Sequence, residues 1–257
     1  MNGICILLSQ FSKKRISLNT KYFLYIFLLS NILFGEDLPN SWKDYWHTSA
    51  QSILTNKSNQ LILSSAALSA FTATKIDMRV KSYAQSQGLL SDPVSHFGDL
   101  YGGKWGHWIL WSSIIVTSQM KNESKDILIS KMQFSTLAMV TNGILTESMK
   151  RSFGRTRPNG SCCKSFPSGH TSHSFTMAAV ASELYGKEMG ILTYGLATLV
   201  AMSRINDNKH YLSDVIFGAA LGAVVGRSFA MNYRNSMGNS LSVNPTPQFR
   251  LQLTIPL

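Results

Sequence analysis

Apolar residues along this chain gather into six segments, near 60–75, 105–120, 132–147, 171–185, 190–203 and 214–229, with short polar stretches between them. Within the third, Leu137, Val140, Ile144 and Leu145 recur at three- and four-residue steps, which places them on one face of a helix. Ala, Leu and Met, all good helix formers, fill the segments. Gly186 follows the fourth segment, where a chain leaving a helix favours a residue without a Cβ. Alternation suited to a strand comes only at the tail, in Phe249, Leu251, Leu253 and Ile255. The pattern predicts an all-α fold, a helical bundle of about six helices.

The two ends read differently from this middle. Residues 1–35 hold a basic region (Lys13, Lys14, Arg15, Lys21) and then an uncharged apolar stretch from Tyr22 to Phe34, closed by Gly35-Glu36-Asp37. This is the layout of a secretory signal peptide or N-terminal anchor, with cleavage the favoured outcome, and either form carries the rest across the inner membrane. Residues 36–233 then form one helical domain, and 234–257 a polar tail. A chain of 257 residues suffices for one sizeable core, and neither a repeat nor a long linker divides it. Each uncharged run falls short of the roughly eighteen residues expected of a membrane span. With a mean hydropathy of +0.02, a periplasmic or peripheral location, on the periplasmic face of the inner membrane, ranks ahead of a polytopic one.

Charge narrows the partners. Twenty-four Lys+Arg against 13 Asp+Glu give a formal charge of +11, which points to anions. Nucleic acid is set aside, because no basic run is longer than Lys13-Lys14-Arg15 and no basic helix is interleaved with aromatic residues. Of three cysteines, Cys162 and Cys163 are adjacent, a spacing that strains a bridge, and no CxxC pattern suggests zinc. They read as two loop thiols. The sequence carries no signal of oligomeric state.

Three clusters between 150 and 214 hold the unusual chemistry: Lys150 with Arg157-Pro158, Pro167-Ser168-Gly169-His170, and Ser203-Arg204 with His210 and Asp214. Singly, each has an ordinary use, as helix-end charges, a turn or a surface pair. Together they supply what a phosphoryl group needs around one point: cations, backbone donors, a nucleophile and a proton donor. Arg157 and Arg204 match phosphate oxygens two at a time, and Lys150 adds a compact charge. Ser168 and Gly169 open a helix, whose first N–H groups can meet an anion. His210 and Asp214, four apart, would share a helix face, leaving one ring nitrogen free to attack phosphorus. His170 would protonate the leaving oxygen and later activate water. No metal or other cofactor is expected, since no carboxylates are grouped as hard-cation ligands; His173 reads as a polar helix position.

Written as Lys-x6-Arg-Pro, Pro-Ser-Gly-His and Ser-Arg-x5-His-x3-Asp, these clusters resemble the type 2 phosphatidic acid phosphatase (PAP2) superfamily, shared with class A acid phosphatases and vanadium haloperoxidases. The resemblance implies a metal-independent phosphatase of the bacterial cell envelope acting through a phospho-histidine. Catalytic roles fall on His210, His170 and Asp214, and phosphate-binding roles on Lys150, Arg157, Ser168, Gly169 and Arg204. Its substrate would be a phosphorylated lipid, of phosphatidic acid, polyprenyl pyrophosphate or lipid A type, or a small phosphate ester. The alternatives are a vanadium haloperoxidase and a soluble periplasmic acid phosphatase. The loop Ile205–Lys209 is more polar than the family suggests, and Asp99 to Gly106 reads as an interhelical loop or a substrate rim.

Overall fold

A computed structural model describes residues 40–238. The signal-like segment 1–35 and the alternating residues 249–255 lie outside them. From Asp44 onward the described residues belong to one unit, which holds both the bundle and the clusters.

The helices are α1 (Asn40–Thr55), α2 (Lys57–Ala73), α3 (Asp77–Gln87), α4 (Asp92–Leu100), α5 (Gly106–Met120), α6 (Lys125–Phe153), α7 (Gly169–Tyr185), α8 (Lys187–Asn206) and α9 (Leu212–Gly238), with a π-helical turn at Tyr101–Trp105. Among the described residues there is no strand. The six predicted segments fall on α2 and α5–α9, while α1, α3 and α4 are additions. Their boundaries have local causes. Ser124 caps α6 by accepting from the Ile127 N–H, and Gly154 ends it in the left-handed region at φ 55°. Gly186, at φ 88°, takes the predicted cap position, its N–H donating to the Ser182 carbonyl at 3.1 Å.

Helix α7 runs through the middle, against α6, α8 and α9. Met177, Ala178, Ala179, Val180 and Ala181 are all buried, so it is apolar around most of its circumference. On α9, Gly218, Gly222 and Gly226 recur every fourth residue and lie against the α7 backbone near Ser168, Ser172 and Thr176. Without side chains there, the two helices approach closely. Phe134, Ile114, Val200, Val224 and Phe229 fill the rest of the core; burying each contributes roughly 1.5–3 kcal/mol. Helix α1 is fastened by Tyr45, whose hydroxyl donates to the Phe229 carbonyl at 2.7 Å.

The outside is far less polar than the core arrangement requires. Leu61 and Phe71 on α2, Ile109 and Met120 on α5 and Ile191 on α8 are each more than half exposed. Among the described residues one helix, α9 over Leu212–Ser236, is long and apolar enough to cross a membrane by length and composition, with 61% of its window buried in the protein.

Candidate active site

The eight site residues named from sequence meet at one end of the bundle, where α6 and α8 finish and α7 and α9 begin. Lys150 lies in the last turn of α6, 8% exposed, and donates to the carbonyls of Lys164 and Pro167 at 2.7 Å each. The connection from Gly154 to Ser168 is thereby drawn back over the helix end. Burial, helped by the neighbouring Arg157, lowers the Lys150 ammonium to about 8.

Arg157 in that connection and Arg204 in the last turn of α8 each keep a buried Nε–H without a hydrogen-bond partner. Buried guanidinium donors are seldom left unsatisfied, and each Arg lowers or opposes charge on its neighbours in the site. Two cationic forks with spare donors, next to a partly deprotonatable ammonium, make a receptor for a multivalent oxyanion. Gly169 lies against α6; a Cβ there would sit 3.5 Å from Lys150 Cε.

Ser168 is fully buried at the N-cap of α7. Its hydroxyl pairs with Thr171 Oγ1 at 2.8 Å rather than capping a backbone N–H, and its own N–H donates to the Asp214 carbonyl at 3.0 Å. The helix starts of α7 and α9 are therefore tied directly.

His210 does not share a helix with Asp214. It precedes α9, its N–H held by the Arg204 carbonyl at 3.1 Å, and the four-residue spacing is kept because Tyr211 to Asp214 form the entry turn. Asp214 Oδ2 accepts from the Tyr211 N–H at 2.9 Å, the reach-back of a capping box. His210 Nδ1 lies 2.7 Å from the Ser165 carbonyl and 3.7 Å from Asp214 Oδ2. A carbonyl only accepts, so Nδ1 carries the proton and the Nε2 lone pair is free. Burial, with Lys150 and Arg157 close by, brings His210 down to about 4, against the pull of Asp214. The imidazole is uncharged at neutral pH.

His170, at the start of α7, faces Asp99 of α4, with Nε2 3.4 Å from Oδ1. Asp99 also accepts from Arg204 Nη1. The contact with His170 and the charge of Arg204 hold the Asp99 carboxyl well below its usual range. Beneath His170 runs the π-helical turn, with Gly103 so close to the ring that a Cβ would meet Nε2. The stretch read as an interhelical loop or a substrate rim is instead helical, and its π-helical turn packs against the second histidine.

Arg155 and Asp77 carry no signal of a site role in their sequence context, and Asp99 stands out only as the start of the stretch Asp99–Gly106. The polar loop after Arg204 explains part of this arrangement. Asn206 Oδ1 accepts from Leu89 N at 2.8 Å, and Asp207 Oδ1 from Ser95 Oγ at 2.6 Å, so the loop holds α4, and with it Asp99, at the site. His173 packs its ring against His107 at 5.7 Å between centroids, and burial lowers it to about 3. Among the described residues no group of three or more His, Cys, Asp or Glu is placed to hold a metal ion. Cys162 and Cys163 lie side by side in the same connection.

Residues 134–237, which include all eight site residues, match the PAP2 superfamily model. Among curated proteins, 93 residues are 40% identical to a lipid A 1-phosphatase of Porphyromonas gingivalis, covering 35% of this chain and 21% of that protein. A lipid A 1-phosphatase of Rhizobium johnstonii is 27% identical over 158 residues, covering 51% of this chain and 64% of the relative. The chain thus spans less than two thirds of either. Among solved structures, Aquifex aeolicus LpxE aligns with a TM-score of 0.50 and 22% identity over 59% of this chain and 92% of that one, a likeness of fold.

Proposed function

We propose that this chain is a PAP2-type lipid phosphatase of the bacterial envelope, working at the periplasmic face of the inner membrane on lipids of the lipid A 1-phosphate kind. The observation that carries the reading is the buried, uncharged His210, its Nδ1–H spent on the Ser165 carbonyl, beside Lys150, Arg157 and Arg204.

The three cations hold the phosphate oxygens and stabilise charge that grows on them as phosphorus changes partners. His210 Nε2 supplies an electron pair to phosphorus while the bond from phosphorus to the lipid oxygen breaks. That oxygen leaves with the bond's electrons and takes a proton from His170. Asp214, 3.7 Å behind Nδ1, stabilises the positive phospho-imidazole. His170, now neutral, takes a proton from water, whose oxygen attacks phosphorus and returns the electron pair to Nε2, releasing inorganic phosphate. The lipid class rests on the lipid A phosphatases among the relatives and on the apolar faces of α2, α5 and α8, which suit an acyl-chain environment.

Rapid quenching with a labelled lipid A-type 1-phosphate is expected to trap an alkali-stable, acid-labile phosphoenzyme in the wild type and none in His210→Ala. Equal phosphate release by the two proteins would overturn the assignment. Side-by-side assays with phosphatidic acid and a soluble monoester test the substrate class; preference for the soluble ester would count against a lipid.

A further inference from the structure

Behind Asp214 lies a second polar layer built around Arg155. Arg155 Nη1 donates to Asp214 Oδ1 at 2.6 Å and to Ser213 Oγ at 2.7 Å, and Nη2 donates to Asp77 Oδ2 at 2.8 Å. Asp77, the first residue of α3, also accepts from the Ser213 N–H at 3.0 Å and the Ser213 hydroxyl at 2.6 Å. The guanidinium carbon sits 4.3 Å from the centre of the Tyr211 ring. Asp77 is 3% exposed and Asp214 is fully buried, so one guanidinium serves two buried carboxylates. Removing a shared cation from such a pair leaves buried charge uncompensated.

The direction of these bonds separates Arg155 from Arg157, two residues on. Arg157 keeps a buried donor unpartnered, whereas both terminal nitrogens of Arg155 are spent on carboxylates and a hydroxyl. Arg155 is therefore turned away from phosphate and toward the nucleophile's partner.

We propose that Arg155 and Asp77 are positioning residues for His210: Arg155 fixes the Asp214 carboxylate and offsets its charge so that the imidazole stays neutral and able to attack, and Asp77 sets how much of Arg155 reaches Asp214. The inference rests on the reading of His210 as nucleophile. The charged groups facing His210 are Asp214 from α9, Lys150 from α6 and Arg157 from the connection; only Asp214 favours the imidazolium. Anything that unmasks Asp214 thus protonates His210 at higher pH, and a protonated imidazole has no lone pair at Nε2. Anything that strengthens the Arg155–Asp214 contact does the reverse.

The test compares wild type, Arg155→Gln, Arg155→Lys and Asp77→Asn as full chains in mixed micelles, with kcat and KM followed against pH on lipid A-type 1-phosphate and on a soluble phosphate monoester. For Arg155→Gln, we expect kcat to fall about a hundredfold, with KM changed little, because the attack geometry loosens. Its acid limb of kcat/KM should move up by about one pH unit. Arg155→Lys restores the position of the limb and part of kcat. In Asp77→Asn the limb moves down, since Arg155 is left to Asp214 alone. An unmoved limb in both Arg155→Gln and Asp77→Asn, or a loss carried by KM, overturns the inference while the phosphatase reading stands. Should Arg155→Gln not fold, the direction of the Asp77→Asn limb decides. A wild type that releases no phosphate from either substrate overturns both.

Discussion

Lys150 is held by two backbone carbonyls and pressed by Arg157, so in the proposed mechanism it meets the anion as a cation poised to lose its proton. The sign is simple. Below about 8 the ammonium is charged and attracts an oxyanion; above it the free amine no longer does. Inhibition by tungstate, whose charge is constant across this range, should weaken as pH rises through about 8, and Lys150→Met should lack that step. Inhibition equally strong on both sides of 8 in the wild type would contradict this account. At this scale, the gathering of three cations and two histidines was legible because such residues at those fixed spacings are hard to explain otherwise. The Ser165 carbonyl that selects the His210 tautomer was not, since every residue has one. Asp77 and Asp99 are single acids in unremarkable surroundings, and Arg155 is masked by its neighbours Arg151 and Arg157 in the same run.

At the scale of elements, the apolar segments announced the helices that build the core. Helix α3, Asp-Met-Arg-Val-Lys-Ser-Tyr-Ala-Gln-Ser-Gln, buries little beyond Asp77 and Ala84, so it shows no apolar face to read, although it anchors the layer behind Asp214. His-x3-Asp was taken for one helix because spacing reports distance along the chain and not where a helix starts. Glycine also has two separate uses here, and a pair of substitutions tells them apart. Gly222→Ala drives a Cβ into the Ser172 carbonyl of α7, which cannot swing aside. It should destabilise the bundle by about 1–3 kcal/mol, visible as a lower melting temperature. Gly103→Ala meets only the movable end of the His170 ring, so it should lower kcat roughly tenfold or more, within the range of lost acid–base catalysis, at little cost in melting temperature. A reversal of these two phenotypes would refute the assignment of the turn as a support for His170.

For the whole molecule, apolar exposure and charge point the same way. The bare faces of α2, α5 and α8 suit acyl chains, and the formal charge of +11 suits anionic headgroups. Protein diluted from detergent should float with vesicles, more completely when they are anionic. Part of the binding should survive 1 M salt, where screening shortens the reach of charge to about 3 Å and leaves apolar contact. Protein that stays unbound with both vesicle types would rule out a lipid-facing role for these surfaces.

The bond from the Ser168 N–H to the Asp214 carbonyl, with Gly218 packed beneath it, welds the floor of the anion receptor to the strut behind the nucleophile. In the proposed mechanism, this tie sets the gap between phosphorus and His210 at folding. Leaving groups of different bulk must be accommodated on the opposite wall, where His170, Asp99 and the π-helical turn stand. Selection for a new substrate should therefore collect its changes in α4 and that turn, and leave the paired starts of α7 and α9 untouched.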